Sequence, residues 1–374
     1  MTRINTLTRL QSRKNALGES RLAHEPMPQL EEGEITVRID RFSITTNNVT
    51  YLTFGEAPIH YWSFFPAGDP DWAQMPVWGF AEVIDSAVPE ISCGERFYGF
   101  FPIANALRLR PERLTERGFF DGMPHRLALT SAYNFYTRCS TDPAYSPELE
   151  DYQALLRPLF VTSWMLADYL EDNRFFGARQ LVVSSASSKT AYGTAAWLDE
   201  HADIRQVALT SSGNLEFVNA LGCYSQAHAY DQLESIANDQ PTLYLDFSGD
   251  AALRTRIHQH FDHELVHDCL VGFTQTSEMI ARNQPALAGP APRFFFAPEQ
   301  IRKRTADWGP ASFNERFSAA QGGFIARLSD PKNDWMTVVE HTGIEAAQAL
   351  ISDLVAGKMD PRAGHIVRLA GNVD

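Results

Sequence analysis

Residues 180–193, QLVVSSASSKTAYG, constrain the fold more than any other part of the chain. A short apolar strand (Leu181, Val182, Val183) breaks into small hydroxylated residues. It then passes straight into a helix that opens near Lys189 and runs through Ala191, Ala195, Ala196 and Trp197. In a parallel α/β sheet this arrangement forms an anion site: the free N–H groups of the first helical turn point outward and the helix dipole favours negative charge. The glycines usual in such a turn are replaced here by Ser185, Ser188 and Ala191. Those residues suit the turn only where backbone torsions stay negative and a bound phosphate does not press on the chain.

Two styles of sequence flank this segment. Residues 30–103 are strand-like and turn-rich, with strands expected at 34–39, 79–84 and 96–101 and a Pro/Trp-rich surface loop at 69–78. They suit a small β-barrel. From about residue 151, strands expected at 180–184, 205–210, 227–230, 242–247, 269–273 and 293–296 alternate with helical patterns such as 214–221 and 251–260. Strand, helix, strand at this spacing implies a parallel sheet covered on both faces, and six such strands suit a doubly wound dinucleotide fold. A further helix is expected around 343–356.

Length and composition set outer bounds. With 374 residues the chain suits two domains, and its 44% apolar and 21% charged content is that of an ordered globular protein. A net charge of −14 opposes nucleic acid and anionic lipid as partners. No apolar run approaches bilayer length, and the first 25 residues, basic but without an apolar stretch, read as a surface strand before a transit peptide. Cys93, Cys139, Cys223 and Cys269 are widely spaced, which fits free thiols in the cytoplasm. No close cysteine cluster or H-E-x-x-H helix is present, so no metal is expected.

Several strings, in order, resemble the medium-chain dehydrogenase/reductase superfamily, in its zinc-independent branch of quinone oxidoreductases and enoyl reductases. They are LEEGEITVR at 30–38, CGERFYG at 93–99, LFVTS at 159–163, ALGC at 220–223, LDFSG at 245–249 and LVGF at 270–273. The SSASSKTA string at 184–191 resembles an uncharacterised subfamily of it. The resemblance implies an α/β chain: a GroES-like β-barrel catalytic domain (1–150 and 300–374) plus a Rossmann-type doubly wound parallel sheet (151–299). Two departures stand out. Phe80 follows Gly79 where the zinc enzymes carry histidine, and the phosphate loop lacks its glycines.

For the cofactor, Lys189 with Ser187, Ser188 and Thr190 reads as a phosphate site, against the plainer reading of a serine-capped helix with a solvated lysine. After the second strand, TSSGN at 210–214 carries no acid; Ser211, Ser212 and Asn214 tolerate a 2′-phosphate that a carboxylate would repel. With Tyr230, matched by the resemblance to a tyrosine near that phosphate, NADP(H) is expected before NAD. The resemblance also places Thr162, opening a helix, under the nicotinamide ribose. Phe247, Ser248, Gly272, Phe273 and Thr274 end later strands where open sheets hold ligands.

In the barrel, Asn48 stands where the family has a substrate-facing aspartate. Tyr51 reads either as a donor to a substrate carbonyl or as a surface tyrosine packing on Phe54. His260, His263 and His267 read as a solvated face, as does the basic triplet at 302–304. The run Phe294–Phe295–Phe296 fits a buried strand or an edge strand joining a homodimer.

The leading expectation is an NADPH-dependent, zinc-independent reductase of a small-molecule alkene or quinone. A catalytically inert scaffold that binds a partner or another phosphorylated ligand is the alternative. A serine hydrolase ranks last, because no G-x-S-x-G elbow is present.

Overall fold

Continuous apolar runs mark strands buried on both faces, and three of them form the centre of a parallel sheet. In the computed structural model, which describes residues 4–57, 59–271 and 287–369, Leu181, Val182, Val183, Val207, Leu209, Leu243 and Leu245 are all buried. The chain divides into two compact units, Met1–Leu155 with Thr337–Asp374, and Leu156–Met336. The second unit therefore includes the helices Ala297–Trp308 and Pro310–Ser329, although the sequence reading grouped residues 300–336 with the barrel.

In the second unit, six strands run side by side in the order Gln226–Ala229, Arg205–Thr210, Gln180–Val183, Thr242–Asp246, Leu265–Leu270 and Arg293–Phe294. Every neighbouring pair is parallel. Numbered along the chain, that order is 3-2-1-4-5-6, the doubly wound arrangement whose direction reverses between the first and fourth strands. Five of the six expected strands have both ends within two residues of those observed, and the fifth along the chain, expected at 269–273, is Leu265–Leu270. Of the expected site residues, Gly272, Phe273 and Thr274 lie outside the described residues.

In the first unit, a sheet of nine strands among the described residues centres on Ile35–Ile44 and Pro76–Ser86, paired antiparallel. Pro76 and Trp78, expected in a surface loop, are the start of that second strand. The N-terminal residues form the strands Thr6–Arg13 and Ala16–Pro26 of a three-stranded sheet. Thr337–Thr342 and Ala363–Arg368 are parallel and joined by the helix Ile344–Val355. Its buried Ala347, Ile351 and Leu354 join Ile35, Val37, Phe42 and Val77 in one core.

Candidate functional site

In the second unit, the end of the first parallel strand turns at Ser184–Ser188, and the helix Lys189–His201 follows. Ser188 caps that helix, its hydroxyl accepting from the Ala191 N–H at 3.4 Å. Lys189 and Thr190 occupy the first turn, half-buried. Ser188 has φ −73°, as a serine in place of glycine requires. Ser185 does not: its φ is +46°, so a residue bearing a Cβ occupies the left-handed region there. The turn is fastened from two later segments. The Ser185 N–H donates to the Tyr230 hydroxyl at 3.0 Å, and Asn214 Nδ2 donates to the Ser187 hydroxyl at 3.2 Å. Four residues singled out for the cofactor (Ser187, Ser188, Asn214 and Tyr230) thus gather at one turn, while Ser211 and Ser212 are exposed beside Asn214.

Next to it, across the reversal point, the fourth strand ends at Asp246. Ser184 joins the two strand ends: its hydroxyl donates to Asp246 Oδ1 at 3.0 Å and accepts from the Phe247 and Ser248 amides at 3.1 and 3.2 Å. Asp246 Oδ1 also accepts from the Ser248 and Gly249 N–H groups, both at 2.9 Å, and from the Ser248 hydroxyl at 2.7 Å. Ser248, expected to face a cofactor, is buried and held in this turn, and Phe247 is buried beside it.

Beneath the turn lies a charged network that the sequence reading missed. Buried Arg254 pairs with Asp246 Oδ2 and lies 3.5 Å from Asp268 Oδ2, which His258 also contacts at 2.8 Å. Burial raises the Asp268 pKa. Burial is the largest single influence on His258 and opposes its charge. The bond to Asp268, the bond to the Ala288 carbonyl and the charge of Asp268 together outweigh it and raise the His258 pKa.

Other expectations for this unit change. Thr162 does not open a helix; it lies midway along Glu150–Asp172, which carries Pro158 inside it. One residue on, the Ser163 hydroxyl donates to the Thr190 carbonyl at 2.8 Å, fixing the helix that begins at Lys189. His267 is buried and stacks on Phe176 with ring centroids 3.8 Å apart, so it is not on a solvated face. Lys303 and Arg304 pair with Asp172 and Asp168. Phe295 is buried while Phe294 is 53% exposed on the terminal strand of the sheet.

In the first unit, Tyr51 lies on the short helix Asn48–Thr53 and is buried, not on the surface. Its hydroxyl accepts from Trp78 Nε1 and from Asn47 Nδ2, both at 3.0 Å. Burial pushes its pKa well above the ordinary value. Tyr61, Phe100 and Tyr133 surround the ring edge-on at 4.8, 5.2 and 6.3 Å. The result is a protonated phenol in an apolar wall, able to donate a hydrogen bond.

Asn48 has a different role from the one expected. Buried, it accepts from the Thr45 N–H at 2.8 Å and donates to the Pro76 carbonyl at 3.1 Å, latching the helix to the barrel. Asn47, overlooked in the sequence, is the asparagine at Tyr51; the spacing of four on one helix face was the available signal. A separate cavity of about 650 Å³, lined by Lys14, Trp62 and Trp72 among others, does not include Tyr51.

A family profile described as "Protein of unknown function (DUF2855)" matches residues 42–360. The chain belongs to that family. No curated protein sequence matches it. Among solved structures, this DUF2855 protein is similar to CurA from Vibrio vulnificus in complex with NADPH, with TM-score 0.61, 14% identity and 94% of each chain covered. It is also similar to a putative NADPH:quinone reductase from Mesorhizobium loti (TM-score 0.60, 13% identity, 98% of this chain and 100% of that one). The YhdH oxidoreductase from Salmonella enterica in complex with NADP is similar too, with TM-score 0.53, 14% identity and 97% and 100% covered. The DUF2855 chain thus shares the fold of these solved reductases and oxidoreductases. Among the described residues, no helix is long and apolar enough to cross a membrane, and no group of three or more His, Cys, Asp or Glu side chains could hold a metal ion.

Proposed function

We propose that this protein is an NADPH-dependent, zinc-independent oxidoreductase acting on an activated alkene (an enone or enoyl thioester) or a quinone. The observation that carries the reading is the 3-2-1-4-5-6 parallel sheet with a serine-capped, lysine-bearing helix starting at its reversal point. Amides of the first helical turn, with Lys189 and Thr190, would hold the pyrophosphate. Exposed Ser211 and Ser212, with no carboxylate between Thr210 and Asn214, leave room for a 2′-phosphate, which favours NADPH over NADH. The neighbours solved with NADPH and NADP support the same choice of cofactor.

The bound cofactor would supply the hydride. Tyr51 would donate a hydrogen bond, or its proton, to a carbonyl oxygen of the substrate. Its raised pKa keeps that proton in place at neutral pH. Trp78 and Asn47 fix the oxygen by occupying its lone pairs.

Titration of the purified protein with NADPH and with NADH, followed by nicotinamide fluorescence, tests the reading. NADPH binding that is tighter than NADH binding and is lost in Lys189→Ala supports it. Absence of binding by either nucleotide would overturn it in favour of an inert scaffold.

A further inference from the structure

We infer that Tyr230 is a positioning residue, holding Ser185 in a backbone conformation that glycine normally supplies to a phosphate-binding turn. The ligand arm of this inference rests on the cofactor reading above; the loop arm does not. Ser185 has φ +46°, where a Cβ crowds the neighbouring carbonyl. A turn of this kind persists only where its surroundings over-determine it.

Those surroundings are specific. The Tyr230 hydroxyl accepts from the Ser185 N–H at 3.0 Å and lies 3.3 Å from the Ser185 hydroxyl, so one phenol fixes both the backbone and the side chain. The Ser185 carbonyl accepts from the Ser188 N–H at 2.8 Å, closing the turn directly before the helix. On either side of the link the chain is pinned as well: the Ala186 N–H donates to the Leu209 carbonyl at 3.1 Å, and the Tyr224 hydroxyl donates to the Ala186 carbonyl at 3.0 Å.

Tyr230 is itself immobilised. Its ring packs against the buried cluster that contains Val182, Val207, Leu209 and Leu233. Its carbonyl accepts from Arg256 Nη1 at 3.0 Å, and that guanidinium is paired with Glu234 at 2.7 and 2.9 Å. A rigid phenol is therefore delivered to the one place in the turn where serine is strained. On this account the chain dispenses with glycine at this place because a tyrosine from the third strand's end does glycine's work.

The test compares wild type, Tyr230→Phe, Ser185→Gly and the double variant. Two measurements are made: amide hydrogen exchange of residues 184–189 in the ligand-free protein, and NADPH affinity by titration. Tyr230→Phe keeps the packed ring and removes only the hydroxyl. It is expected to speed loop exchange and weaken NADPH binding about three- to tenfold, the worth of one hydrogen bond. In the Ser185→Gly background, both effects shrink below about twofold, because glycine adopts the turn unaided. Equal losses of affinity in both backgrounds, with loop exchange unchanged, would overturn the inference and make Tyr230 a direct ligand contact. If wild type binds no NADPH at all, the cofactor reading falls, and the exchange comparison alone still decides this one.

Discussion

The indole N–H of Trp78 and the hydroxyl of Tyr51 lie 3.0 Å apart, with the indole as donor. Because Asn47 donates to the same oxygen, the only hydrogen the phenol controls is its own. Tyr51→Phe removes that donor and strands two others. Turnover should fall about 10²- to 10⁴-fold with NADPH affinity unchanged, and stability should fall by about 1–3 kcal/mol. Steady-state kinetics beside a binding titration separate the two effects. Undiminished turnover would take Tyr51 out of the chemistry.

Gly193 is a packing requirement. A Cβ added there would lie 2.8 Å from the Ser163 hydroxyl, between the helices Glu150–Asp172 and Lys189–His201. Gly193→Ala is expected to cost about 1–3 kcal/mol. The penalty should be smaller in a Ser163→Ala background, where the nearest obstacle recedes to 3.3 Å. Chemical denaturation of the four variants measures it, and strictly additive penalties would contradict the contact.

Much of the parallel sheet was legible because strands buried on both faces read as plain apolar runs, as at Leu181–Val183 and Val207–Leu209. The turn at Ser184–Ser188 was legible by its small residues, but the strain at Ser185 was not, since its partner Tyr230 comes from 45 residues away. Asn47 and Asn48 are adjacent in the chain, and successive helical side chains diverge by about 100°; which one meets Tyr51 depends on how the helix lies against the barrel. The Asp246–Arg254–Asp268–His258 network was invisible for a similar reason. Arg254 and His258 look like solvated positions of an amphipathic helix until the sheet order brings two carboxylates beneath them.

That network supplies a third prediction. Arg254→Leu leaves buried Asp246 and Asp268 without their shared cation, and removing one partner of a buried pair costs about 3–5 kcal/mol. The urea midpoint should drop accordingly. In the same variant NADPH affinity should fall, because Asp246 Oδ1 fixes the Ser248 and Gly249 amides at the reversal point. A variant as stable as wild type would show that the pair contributes nothing net.

His267 gives the protein an acid-sensitive step. Burial first, and the charge of Arg293 second, lower its pKa from the ordinary 6.5 to about 4. Between those two values the unfolded chain binds a proton that the folded one lacks, so stability rises with pH across that window and is lost as pH falls through it. The ring stacks flat on Phe176 at 5°, and its Nε2 has no hydrogen-bond partner among the described residues. His267→Phe therefore keeps the stack and deletes only the titration. Thermal midpoints measured from pH 7 down to about pH 4 should show a shallower acid decline in the variant. An unchanged slope would show that His267 does not carry the acid decline.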